Sequence, residues 1–235
     1  MRVRIIILVC SLLFASSVLA QDSAIVPGDH LVVEGIPPVP ASLAEAVGRY
    51  TEFRRAAFLS WHPARREMLI RTRFAETVQI HRVQTPGGDR AQLTFFADPI
   101  RGASYPPKGG DWFVFAKDSG GNEFYQLYRY DAGTGASTLL TDGKSRNSNA
   151  VWSSGGDWLA YSSTRRNGKD QDLYVVNPAD PNSDRLLARL DGSGWRALDW
   201  APDDRSLLAL EFVSINESYL WLFDAATGAR TLLTP

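Results

Sequence analysis

The chain has 235 residues, 44% hydrophobic and 22% charged, with a formal net charge of −1 at neutral pH. That composition supports a substantial packed core and excludes a disordered chain. The near-zero charge excludes a global attraction to nucleic acid or anionic membranes, and a single cysteine, Cys10, excludes a disulfide framework.

Residues 1–20 read as a secretory leader. Arg2 and Arg4 precede an apolar run from Ile5 to Ala15, and Ser16-Ser17-Val18-Leu19-Ala20 supplies the small residues of a cleavage site before Gln21. The run has 11 residues, short of the roughly 20 a membrane-spanning helix needs. Val9 ahead of Cys10 is too large for a lipoprotein signal. The expectation is an exported chain, periplasmic or extracellular, with no membrane contact and no thiol after cleavage.

Residues 21–57 read as an N-terminal extension. Leu31-Val32-Val33 suggests a short strand, and Pro37, Pro38 and Pro40 form a stiff connector. Ser42 and Glu45 are spaced as a capping box opening a short helix that Gly48 would end. Nine arginines crowd residues 49–90 against Glu52, Glu67, Glu76 and Asp89, a local balance of +5. Scattered among apolar positions, they read as a solvated strand face ahead of a basic docking patch.

From residue 58 one pattern recurs four times, over 58–94, 101–141, 149–188 and 195–234: an aromatic anchor, a turn, two apolar strands and a closing strand. The anchors are Trp61, Tyr105, Trp152 and Trp200, in steps of 44, 47 and 48 residues. The closing pairs Leu93-Thr94, Leu140-Thr141, Leu187-Ala188 and Leu233-Thr234 keep steps of 47, 47 and 46. Turns such as Ser154-Gly155-Gly156-Asp157 and Pro202-Asp203-Asp204 follow the anchors. Runs such as Trp112-Phe113-Val114-Phe115 and Leu173-Tyr174-Val175-Val176 are apolar on both faces, so each sheet needs cover on both sides. Short strands repeating in this way predict an all-β fold, a β-propeller of four-stranded blades, with a β-sandwich as the alternative.

No catalytic residue emerges. Gly102-Ala103-Ser104-Tyr105-Pro106 has proline where a nucleophile elbow needs glycine, and His30, His62 and His81 all precede Ser104. Asp170 and Asp172 lack the offsets of a calcium loop, the histidines lack metal-ligand spacing, and no cofactor motif is present. Asn216-Glu217-Ser218 is a glycosylation sequon without a host to give it meaning. The loops between second and third strands must emerge at one end of the ring, and they carry Asp118, Asn122 and Glu123, then Arg165, Arg166, Asn167 and Lys169, then Asn216 and Glu217. Asn122, Glu123, Arg165 and Arg166 are therefore the candidate substrate or partner contacts, against a reading as ordinary solvated loops.

The phrase "GGNEFYQLYRYD" at 120–131, "SSTRRNGKDQDLYVV" at 162–176, the Trp-Ser anchors and the "TLLT" closers resemble the propeller of exported serine peptidases of the prolyl oligopeptidase family. The similarity spans about residues 30–235. In that family a propeller precedes an α/β-hydrolase domain bearing Ser, Asp and His, and restricts substrates to short or unfolded peptides. The resemblance implies a non-catalytic part that gates peptides to a hydrolase domain not found in these residues. Stand-alone periplasmic propellers of the TolB kind, which bind proteins, are the alternative. An unclosed arc of four blades would leave two apolar faces wet, so either four blades close, with Leu31-Val32-Val33 completing the last, or the ring is larger; the resemblance implies the larger ring.

Overall fold

The computed structural model describes residues 22–28 and 31–234. The leader, Cys10 and His30 lie outside the described residues. The chain divides into two compact units, one up to Phe53 and one from Arg54 onward.

In the first unit one helix, α1 (Ala41–Thr51), follows an antiparallel bridge between Ala24 and Pro40. Pro40 occupies the N-cap, where its fixed φ enters the helix and its missing N–H costs nothing. The helix therefore starts one residue ahead of Ser42, and the expected capping box does not form. Asp22 takes its place: its carboxylate accepts from both the amide (3.1 Å) and the hydroxyl of Ser42, a favourable position for negative charge at a helix N-terminus. Gly48 does not end the helix, which runs on to Thr51, with the Glu52 amide donating to the Gly48 carbonyl. Leu31-Val32-Val33 forms no strand, so it completes no sheet.

The second unit contains four four-stranded antiparallel meanders. Sheet 1 holds β1 (Ala57–Trp61), β2 (Met68–Thr72), β3 (Gln79–Val83) and β4 (Ala91–Gln92); sheet 2 holds β5 (Ile100–Ser104), β6 (Trp112–Lys117), β7 (Gln126–Asp131) and β8 (Ser137–Leu139). Sheet 3 holds β9 (Asn147–Trp152), β10 (Leu159–Ser163), β11 (Asp172–Asn177) and β12 (Asp180–Ala188); sheet 4 holds β13 (Trp195–Trp200), β14 (Ser206–Ser214), β15 (Glu217–Asp224) and β16 (Arg230–Leu232).

Three apolar clusters lie between successive sheets. Leu69 and Ile80 of sheet 1 pack with Phe113 and Phe115 of sheet 2. Val114 and Leu127 of sheet 2 pack with Leu159, Tyr161 and Val176 of sheet 3. Ala160, Leu173 and Val175 of sheet 3 pack with Trp195, Leu207 and Phe223 of sheet 4. Neighbours along one strand thus face opposite seams, Phe113 and Phe115 one way and Val114 the other, because strand side chains alternate. Covered on both faces in this way, β10 and β11 are buried at nearly every position.

Anchors and closers have defined roles. The Tyr105 amide donates to Ser60 Oγ (3.2 Å), Trp152 Nε1 to Ser104 Oγ (2.8 Å) and Trp200 Nε1 to the Val151 carbonyl (3.2 Å). Each anchor therefore bonds to the residue just before the preceding anchor, stitching sheet to sheet. Each closing threonine accepts from an amide in or next to the third strand that would otherwise lack a partner: Thr94 from Ile80, Thr141 from Leu127 and Thr234 from Leu220.

The innermost strand of every sheet carries a β-bulge. In sheets 1 and 4 the extra residue, Leu59 or Leu198, stands two positions before the anchor, and in sheet 3 the irregularity falls at 149–150. In sheet 2 it moves to Arg101, four positions before Tyr105. At the tip of the β14–β15 hairpin Phe212, Val213 and Ile215 are exposed at 43%, 52% and 91%.

Candidate functional site

The loop joining β6 to β7, residues 118–125, is held from within. Asp118, 4% exposed, accepts the Glu123 amide (2.8 Å), Asn122 Oδ1 accepts the Phe124 amide (2.8 Å), and Asp98 accepts the Gly120 amide (3.0 Å). The backbone is left-handed at Gly120 (φ 61°), Gly121 (75°) and Glu123 (60°). Two of these are glycine, for which that region costs nothing, but Glu123 sits there against the preference of its Cβ. Arg101 of β5 lies 4.4 Å over the Tyr125 ring and Arg146, just before β9, lies 5.0 Å over Phe124, so two cations flank the loop.

The next loop, between β10 and β11, adjoins it: Thr164 and Arg146 exchange two hydrogen bonds. Its two candidate arginines are consumed by the protein itself. Arg165 donates to Asp184 (2.6 Å) and to the Tyr161 hydroxyl (2.7 Å), lies 3.7 Å from Asp142 and covers the Tyr174 ring at 4.5 Å. Arg166 holds Asp172 (2.8 Å), Asp170 (3.2 Å) and the Leu190 carbonyl. Burial would lower the Arg165 pKa, but Tyr161, Asp184 and Asp142 raise it overall. Burial pushes Asp142 up, and the Ser145 hydroxyl and amide, the Lys144 amide and Arg165 outweigh it, holding the carboxyl below its usual range. The Tyr161 phenol is driven well above its ordinary value by burial and by Asp184. This network joins strands to loops; of the four candidates, Asn122 and Glu123 are exposed and Arg165 and Arg166 are internally paired.

Exposed Glu123 opens onto a cleft of about 450 Å³ between the first two sheets, lined also by Arg55, Arg71, Arg101, Asp118 and Tyr125. Arg71 donates to the Arg101 carbonyl (2.6 Å). Among the described residues none of the three guanidinia has a carboxylate within 4.0 Å, and the Glu123 carboxylate has no hydrogen bond or ion pair. Arg55 and Arg71 belong to the arginine-rich stretch read as a solvated face; in the structure Arg101, outside that stretch, joins them. The signal was weak: a shift of two residues in a bulge leaves no mark in residue types.

Ser104 ends β5 with its hydroxyl accepting the Trp152 indole N–H, and neither described histidine bonds to it. His62 Nδ1 accepts the Ala64 and Arg65 amides (3.0 and 2.9 Å), so its Nε2 carries the proton and donates to the Gly110 carbonyl (3.2 Å). His81 Nδ1 lies 3.2 Å from the Gln79 carbonyl. Among the described residues no group of three or more His, Cys, Asp or Glu could hold a metal ion, and no helix is long and apolar enough to cross a membrane.

The solved structures that this chain is similar to share one architecture. The fold is a β-propeller. TolB from Acinetobacter baumannii superposes with a TM-score of 0.57 at 18% identity, over 77% of this chain and 44% of that one. A chain from a structural and mechanistic analysis of two prolyl endopeptidases gives 0.64 at 12% identity, over 81% and 31%. Oligogalacturonate lyase from Vibrio parahaemolyticus gives 0.57 at 12%, over 76% and 53%. The chain thus spans less than two thirds of the length of each, and identities this low speak to the fold alone. No protein-family model and no curated protein sequence matches the chain.

Proposed function

We propose that the chain is the non-catalytic propeller portion of an exported serine peptidase of the prolyl oligopeptidase kind, and that its rim admits short or unfolded peptides to a hydrolase domain. The observation that carries this reading is the superposition on a prolyl endopeptidase chain, TM-score 0.64 over 81% of the present residues, of which they span 31%. The peptide-like rim of exposed Asn122 and Glu123 beside an arginine-lined cleft supports it, because backbone amides and chain ends need acceptors and cations of this kind. Reading the gene beyond codon 235 tests it: a Gly-x-Ser-x-Gly followed by Asp and His supports the peptidase part, and a stop codon overturns it. The 235-residue chain alone should remain unlabelled by a fluorophosphonate serine probe.

A second reading, a periplasmic propeller that binds proteins, has its own support. TolB structures from two organisms, Acinetobacter baumannii and Agrobacterium tumefaciens, share 18% and 17% identity with the chain, above the 12% of the endopeptidase. Both readings export the chain; amino-terminal sequencing of secreted protein should begin at Gln21.

A further inference from the structure

We propose that the cleft between sheets 1 and 2 binds a carboxylate, the free carboxyl end or an acidic side chain of a peptide, through Arg55, Arg71 and Arg101. This deepens the peptide-contact reading and rests on it.

Three observations converge. First, the arginines that brace the neighbouring loop, Arg165 and Arg166, each meet carboxylates at 3.2 Å or less. The three cleft arginines meet none within 4.0 Å among the described residues, although Asp118 and Glu123 line the same 450 Å³ space. Asp118 is already occupied by the loop amide of Glu123. Second, the backbone of sheet 2 departs from that of its neighbours at the cleft. Its bulge is displaced so that the extra residue is Arg101, and bulges re-aim side chains beside binding sites. Arg101 then lies over the Tyr125 ring at 4.4 Å while its carbonyl takes a hydrogen bond from Arg71, so two guanidinia are fixed in advance. Third, Glu123 enters the cleft from a left-handed backbone, φ 60°, a conformation that persists only where the surroundings impose it.

Guanidinium forks match a carboxylate in two parallel hydrogen bonds, and the walls supplied by Ala57, Val78 and Ile100 strengthen that attraction by excluding water. The volume suits a peptide end of a few residues. Glu123 sets the choice of anion: with Asp118 it puts two carboxylates beside three arginines, a formal balance of +1 that suits a single negative charge and disfavours a dianion such as phosphate.

The test is fluorescence anisotropy on the full chain with a fluorescein-labelled alanine-serine pentapeptide, carrying either a free carboxyl end or a carboxamide. The free acid should bind about tenfold or more tightly than the amide, and Arg71→Gln and Arg101→Gln should each abolish that preference. Arg101→Lys, which keeps the charge without the fork, should lose most of it, while Arg205→Gln, away from the cleft, should retain it. Melting temperatures of the variants, expected within a few degrees of the parent, verify that they fold. Glu123→Gln should let inorganic phosphate compete several-fold better. Equal binding of acid and amide, or a preference that survives both glutamine variants, overturns the cleft assignment and leaves the peptide reading standing. Binding of neither peptide overturns both. Phosphate displacing the acid peptide from the parent chain at equal concentration overturns the choice of carboxylate.

Discussion

Ser104 and Thr141 show how single hydroxyls hold the repeat together. Each satisfies a donor that has no other partner, Trp152 Nε1 and the Leu127 amide, so removing the acceptor leaves a polar group stranded rather than merely losing a contact. Ser104→Ala and Thr141→Val should each cost about 1–3 kcal/mol in urea unfolding. The sequence placed both residues in the repeat but could not name their partners, because a hydrogen bond spanning 48 residues from Ser104 to Trp152 has no local signature. His81 behaves differently. Burial and the nearby Arg90 charge lower its pKa, against the Gln79 carbonyl, which raises it. Folding therefore favours the neutral ring, and the unfolded chain takes up the proton first. The stability this contributes is complete above the ordinary histidine value of about 6.5 and drains away as pH falls through the lower folded value. Stability measured from pH 7.5 to 5 should decline more steeply for the parent than for His81→Gln.

Among the elements, the strands of the repeat and the short helix of the extension were legible, and the strand expected at Leu31-Val32-Val33 and the helix cap were not. Alternation between two seams is written into Phe113-Val114-Phe115, whereas Leu31-Val32-Val33 carries strand-forming side chains with no neighbouring strand to pair them. α1 likewise obeys a partner twenty positions away, Asp22, that no local capping rule would find. Gly194 marks a further constraint of this kind. A Cβ there would stand 1.9 Å from the Phe212 carbonyl, where β13 begins beside β14. Gly194→Ala should therefore push backbone against backbone and cost several kcal/mol, read as a fall in melting temperature, while Gly102→Ala, with nothing within 4 Å, should cost much less. At the candidate rim the sequence reached the loops but not the pairing of their charges. Loop position followed from strand count, but sequence charge alone could not separate Arg165 and Arg166, spent on Asp184 and Asp172, from Arg71 and Arg101 in the cleft.

For the whole molecule the period of the anchors was the strongest message, since equal spacing of two independent landmarks leaves few architectures besides stacked equivalent sheets. Stability in such a stack is a sum of units and seams, so damage at one seam is felt by the two sheets that share it. Phe113, fully buried between sheets 1 and 2, should cost about 3–5 kcal/mol on truncation to alanine. Hydrogen exchange should then accelerate in β2 and β6 ahead of β15.

The exposed tip of the β14–β15 hairpin, carrying Phe212, Val213 and Ile215, has a colloidal consequence. Apolar side chains bared together at one hairpin tip attract their like on another molecule, so crowding favours self-association of whole chains. Sedimentation velocity should show a weight-average mass climbing with concentration, and Ile215→Lys with Phe212→Lys should flatten that climb by planting like charges where two such tips would meet.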